Sequence, residues 1–163
     1  MTKFQRTATY LAAVLVVLPG LLLPANALDR HAGYYYPQPQ TTEAYISEVP
    51  VSPEADKRSR AAFVIGLAAQ QAKQNYTPGY HMFAKGGDLE KLIIVATGDG
   101  QYDTLYRMRA LLAALTSMAR STELFARTNR PQELNFLDFC KLIGFTQVTV
   151  SNGKDIAHQI KIR

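Results

Sequence analysis

Apolar positions along the chain fall into runs of different period, and each run predicts a different element. From Ala8 to about Leu23 the chain is almost unbroken in apolar character, interrupted only by Pro19-Gly20. The next run, Ala61 to Leu67, is short. Its β-branched Val64-Ile65 pair and Gly66 predict a buried strand, followed by an Ala/Gln-rich helix from Ala68 to Asn75. A single helix from Pro53 to Gln74 is the alternative, because proline is tolerated in a first helical turn and periodicity does not separate the two. Tyr80 to Lys85 alternates, Gly86-Gly87-Asp88 turns, and Leu89 to Thr97 holds the strongest strand, Leu92-Ile93-Ile94-Val95. Two strand-like runs about a Gly-Gly turn predict an antiparallel hairpin.

Helical spacing takes over after Gly98-Asp99-Gly100. Leu105, Met108, Leu112, Leu115 and Ala119 form one stripe, with Asp103 or Thr104 as the N-cap. A second helix is predicted from about Asn135 to Ile143, stopped by Gly144. The chain then alternates through Gln147–Val150 and Ile156–Ile162, placing Ile156, His158, Ile160 and Ile162 on one face. Ser151-Asn152-Gly153-Lys154-Asp155 lies between them, and its Asn-Gly pair suits a primed turn. These elements predict one small α+β domain over residues 57–163, of order β-α-β-β-α-α-β-β, with helices packed on a largely antiparallel sheet.

Residues 28–56 have a different texture. Four prolines (Pro37, Pro39, Pro50, Pro53) and four tyrosines (Tyr34, Tyr35, Tyr36, Tyr45) predict an extended arm. The tyrosines carry apolar area that favours docking on the domain or on a partner.

Ahead of the arm, Lys3 and Arg6 precede the apolar stretch, no acidic residue appears before Asp29, and Ala25-Asn26-Ala27 has the small-x-small form of a cleavage site. Residues 1–27 therefore read as a signal peptide cut between Ala27 and Leu28, which predicts a periplasmic or secreted protein that meets the membrane only transiently. The full chain has 18 Lys+Arg against 13 Asp+Glu, a net charge of +5. Without the two basic residues of the signal the balance is +3. That is ordinary solubilising charge, and with export it argues against a nucleic-acid partner. The single cysteine, Cys140, has no internal partner, and its apolar surroundings predict a buried, inert thiol.

Candidate chemistry is sparse. Val95 to Asp103 (VATGDGQYD) leaves a strand and opens a helix, as phosphate loops do. However, Asp103 stands where a third glycine is needed, and no Gly-Lys-Ser/Thr follows. Asp99, Gln101 and Asp103 have the spacing that begins a calcium loop, yet Thr104 and Ala110 occupy its glycine and glutamate positions. His31, His81 and His158 lack metal-binding spacing, and there is no nucleophile elbow. Neither a cofactor nor a metal is expected. Two surfaces remain as partner-binding candidates. One is the arm strip Tyr34, Tyr35, Tyr36, Pro37 and Pro39, of the composition that docks with little entropy loss. The other is a basic helix face with Arg107 and Arg109, extended by Arg120, Arg127 and Arg130.

Three segments, DRHAGYYYPQPQTTEAY, FAKGGDLEKLIIV with DTLYRMRALLAALTSMARSTELF, and FLDFCKLIGFTQVTVSNGKDIAHQIKIR, together resemble a family of small exported bacterial proteins. Some members of that family are called molybdopterin-guanine dinucleotide biosynthesis protein A. The name implies a nucleotidyltransferase of molybdenum-cofactor biosynthesis. The Gly-rich signature of those enzymes is absent here, since Gly86-Gly87 is followed by neither Ser nor Arg-Met-Gly. The expectation is thus a non-enzymatic binding or assembly protein of the cell envelope, engaging an envelope protein or polymer, with the nucleotidyltransferase as the alternative.

Overall fold

The computed structural model describes residues 37–98, 100–128 and 131–163, Leu124 by its backbone alone. The signal segment, His31, Tyr34, Tyr35, Tyr36, Asp99 and Arg130 lie outside the described residues. Nine elements follow in order: β1 (Thr41–Tyr45), α1 (Lys57–Gln71), β2 (Tyr80–Lys85), β3 (Lys91–Ala96), α2 (Leu105–Arg120), α3 (Glu123–Ala126), α4 (Phe136–Leu142), β4 (Gln147–Ser151) and β5 (Ala157–Ile162). They make one small α+β domain, as the sequence predicts. Among the described residues no helix is long and apolar enough to cross a membrane.

The strands form one sheet of order β1-β5-β4-β3-β2. Both hairpins are antiparallel, but β3 pairs with β4, and β1 with β5, in parallel. The sheet is mixed rather than largely antiparallel. Between β3 and β4 the chain runs through α2, α3 and α4, long enough for the crossover that parallel pairing requires.

Residues 61–67 are the second departure. They are not a strand but the middle of α1. Asp56 accepts a hydrogen bond from the Ser59 amide at 2.7 Å, and the Ser59 hydroxyl bonds the Asp56 amide in return, a reciprocal cap that starts the helix. Its inward stripe is Arg60, Phe63, Val64 and Leu67, helical in period but opened by a charged residue. The first strand instead lies inside the proline-rich arm, at Thr41–Tyr45.

Alternation sorts the sheet into two faces. Leu92, Ile94, Val148, Val150, Ile160 and Ile162 turn to the face where all the helices pack. There α2 contributes Met108, Leu111, Leu112, Leu115 and Ala119, and α4 contributes Phe136, Phe139, Cys140 and Leu142. Phe63 meets Phe139 edge-on with centroids 5.2 Å apart, so α1 joins the same core. Cys140 is fully buried, as expected; burial, with Asp138 adding to it, raises its thiol pKa well above the ordinary value. The C-terminus of α4 is a Schellman motif: Phe145 N donates to Cys140 O, Gly144 N to Lys141 O, and Gly144 takes φ +85°.

The last turn also differs from expectation. Gly153 has φ +72°, whereas Asn152 is not in the left-handed region, so no primed turn forms. Instead the Asn152 side-chain oxygen accepts from the amides of Lys154, Asp155 and Ile156 and folds a longer loop around itself.

Candidate functional site

Strand β1 is attached to the domain by its parallel ladder with β5 and by polar side chains. Its helix-side residues are Thr41, Glu43 and Tyr45, opposite His158, Ile160 and Ile162. Gln40 begins the attachment: its amide nitrogen bonds Ala157 O, and its side-chain oxygen accepts from Ala157 N at 2.7 Å. Thr41 Oγ1 then lies 2.7 Å from His158 Nδ1. His158 is 2% exposed, and its Nε2 lies 3.0 Å from Glu43 Oε1, off the line of a hydrogen bond. The other Glu43 oxygen pairs with Arg109 of α2. Tyr45 completes the row, donating to Asp138 at 3.0 Å and accepting from Asn135 Nδ2 at 2.6 Å.

Beside this row is a groove of about 500 Å³ between β1, α2 and α4. Helical spacing puts Arg109, Ala113, Ser117 and Arg120 of α2 along it, with Leu137 and Ile160 among the apolar residues opposite. Arg109 and Arg120 stand about 16 Å apart along the helix at 1.5 Å per residue. Each is steadied at Nη2, Arg109 by Glu43 and Arg120 by the carbonyl oxygens of Gln132 and Leu134. Thr116 and Asn135 line the groove as structural groups. Thr116 accepts from the Phe136 amide, and Asn135 caps α4.

Thr41, His158 and Glu43 have the connectivity of a hydroxyl, a base and a carboxylate. Thr41, however, lines neither the groove nor the cavity beneath the loop at Pro50–Pro53. The second cavity, about 540 Å³, lies beneath the loop at Pro50–Pro53 and is bordered by Arg127 and Thr128.

Of the residues singled out from sequence, Arg109 and Arg120 come together on the groove. Arg107 does not: its Nη1 donates to Gly100 O at 2.7 Å on another side of α2. Pro37 is buried, and Pro39 is half-buried against the domain. The segment after β3 holds Asp103 through Asn152 Nδ2 at 3.2 Å, and α2 is capped by Thr104. Among the described residues no group of three His, Cys, Asp or Glu side chains is placed to hold a metal ion. Glu43, Thr116 and Asn135 escape a reading by composition. The one available signal was the alternation in Thr41-Thr42-Glu43-Ala44-Tyr45, hidden by the prolines on either side.

Burial raises the Glu43 pKa, but His158 and Arg109 outweigh it, and the net shift is downward from 4.5. A depressed carboxylate stabilises the fold above its unfolded-state pKa and loses that contribution as pH falls through the folded value. Urea unfolding measured from pH 6 to pH 3 is expected to show stability falling below about pH 4.5, with Glu43→Gln removing part of that slope. An unchanged slope in the variant means that the carboxylate does not hold β1.

Compared with known proteins, the chain matches no family model, no curated protein and no solved structure.

Proposed function

We propose that this chain is an exported, non-enzymatic binding protein of the cell envelope, and that the α2 groove is where it engages its partner. The observation that carries the reading is the pairing of an apolar floor with two arginines held in place at separate points along one helix. Ligand sites are concave, mostly apolar and of roughly 300–1,000 Å³, with a few fixed polar groups, and the groove has these properties. Two of its other polar side chains, Thr116 and Asn135, are already held in structural bonds, which favours binding over catalysis. The ligand that fits has an extended apolar body and an anionic group, as amphipathic envelope components do.

The test is an NMR titration with dodecanoate, using dodecanol as the uncharged control. Methyl shifts are expected at Leu112, Leu137 and Ile160, and Arg120→Ala should weaken dodecanoate roughly tenfold, the value of one charge-assisted contact discounted for exposure. Equal affinity for the alcohol, or shifts confined to other surfaces, sinks the proposal.

A further inference from the structure

The two ends of the sheet are not alike. At one end, Met82 of β2 is 5% exposed and Tyr80 O accepts from Gln71 Nε2 of α1 at 3.0 Å, so the helix shelters that edge. At the other end, β1 has a strand on one side only. Arg163 N donates to Tyr45 O, and Arg163 O accepts from Ser47 N. The odd-numbered residues of β1 therefore turn their backbone polar groups to β5. By alternation Thr42, Ala44 and Ile46 turn theirs outward. Among the described residues no hydrogen bond reaches those outward groups. Thr42 and Ala44 are exposed, and Ile46 is 79% exposed.

Open strand edges are ordinarily guarded by proline, lysine, a bulge or an inward charge. Between Pro39 and Pro50 the chain has no proline and no lysine, and β1 runs beside β5 in unbroken register. The charge on the strand, Glu43, points to the helix side, but Arg109 already pairs with it, so covering it strands no lone carboxylate. This edge is unguarded, and it is also self-complementary. In an antiparallel pair of two copies of β1, residues with outward backbone groups face one another. Centred on Glu43, such a ladder sets Glu43 against its own copy, which like charge disfavours. Centred on Ala44, it sets Ala44 against Ala44, Thr42 against Ile46 and Glu43 against Tyr45, so no charge meets its like.

We infer that β1 is the edge through which two copies of this chain pair, antiparallel and two-fold symmetric about Ala44, into one continuous sheet. Two-fold pairing is the commonest closed assembly, and here it removes the open edge from both copies. The ladder has room for about six interchain hydrogen bonds. It also gives the exposed Ile46 an apolar neighbour in the methyl group of Thr42. Strands this short cover less than the roughly 800 Å² per partner of a standard interface, so the dimer is weak, with a Kd on the order of tens of micromolar. The pairing does not depend on what the groove binds.

Protein produced from the full chain, sedimented at equilibrium from about 5 to about 500 μM, is expected to pass from monomer to dimer. Ala44→Lys and Ala44→Glu each set like charges across the axis and are expected to raise Kd roughly tenfold or more. An equimolar mixture of the two is expected to dimerise again. Because Ala44 is exposed, Tm of both variants should stay within about 2 °C of the parent. As a second readout, Ala44→Cys is expected to form a disulfide between copies under mild oxidation, whereas Thr42→Cys, set against Ile46, is not. Cys140 is buried and stays silent. Should either charge variant lose its fold, the cysteine pair decides. A parent still monomeric at the highest concentration, a dimer that neither charge weakens, or a mixture that stays monomeric overturns the inference, as does equal crosslinking through Thr42→Cys.

Discussion

Asp138→Ala is expected to destabilise this domain severely, at a cost of roughly 3–5 kcal/mol and a fall in Tm of roughly 10 °C or more. Asp138 is 6% exposed and accepts three hydrogen bonds from two directions. One oxygen takes Ser47 Oγ at 2.7 Å and Tyr45 OH at 3.0 Å, and the other takes the Asn135 amide at 2.9 Å. The same carboxylate thus caps α4 and holds the end of β1. Removing it strands three donors at once, and stranded donors cost more than the bonds they made. Tyr45→Phe removes one of these donors, and it also takes from Asn135 Nδ2 its acceptor, so it is expected to cost about 1–2 kcal/mol. The two changes should be sub-additive in a double-mutant cycle followed by urea unfolding, because they share one contact. A loss below about 1 kcal/mol for Asp138→Ala would show that the carboxylate is not the joint between arm and helix.

Arg60→Ala is the second large effect, expected at roughly 2–4 kcal/mol. Arg60 is a helix residue with 7% exposure, and its bonded partners are backbone carbonyl oxygens. Nε and Nη2 donate to Asp88 O at 3.0 and 2.8 Å, while Nη1 reaches Ile143 O and Gly144 O at 3.4 Å. It joins α1 to the β2–β3 turn and to the end of α4. Arg60→Met keeps most of the apolar stem, so it should recover part of the loss but not the three-way junction. The check is thermal unfolding of both variants beside hydrogen exchange at the β2–β3 turn. If the methionine variant is as stable as the parent, the guanidinium adds nothing beyond its stem.

These two residues also show what could be read from the chain and what could not. The hairpins and α2 were legible because each carries its own period and punctuation: Gly86-Gly87 before Leu92–Val95, the stripe from Met108 to Ala119, and the Gly144 stop. α1 was misread because Arg60 occupies an inward position. A charge there breaks the apolar stripe, and Val64-Ile65 then look like a strand. β1 was hidden for a related reason. Thr41, Glu43 and Tyr45 point inward as polar groups, and their partners His158, Arg109, Asn135 and Asp138 lie more than sixty residues away. No local pattern announces a strand whose burial is polar and whose neighbour, β5, lies more than a hundred residues away. The groove was legible only in part. Spacing put Arg109 and Arg120 on one helix, but only the arrival of β1 and α4 gives them a floor and fixed partners.

The parallel pairing of β1 with β5 has a consequence for the order of assembly. Thr41 meets His158 across 117 positions, so almost the whole described chain lies inside the loop this pair closes. Closing so long a loop is entropically unfavourable until its contents have condensed, and contacts of this range slow folding. A ribosome delivers β1 well before β5, so β1 must wait for its partner. Until Ala157–Ile162 emerges, β1 and its Tyr45 lack their partner strand, and removing residues 157–163 removes the strand on which β1 depends.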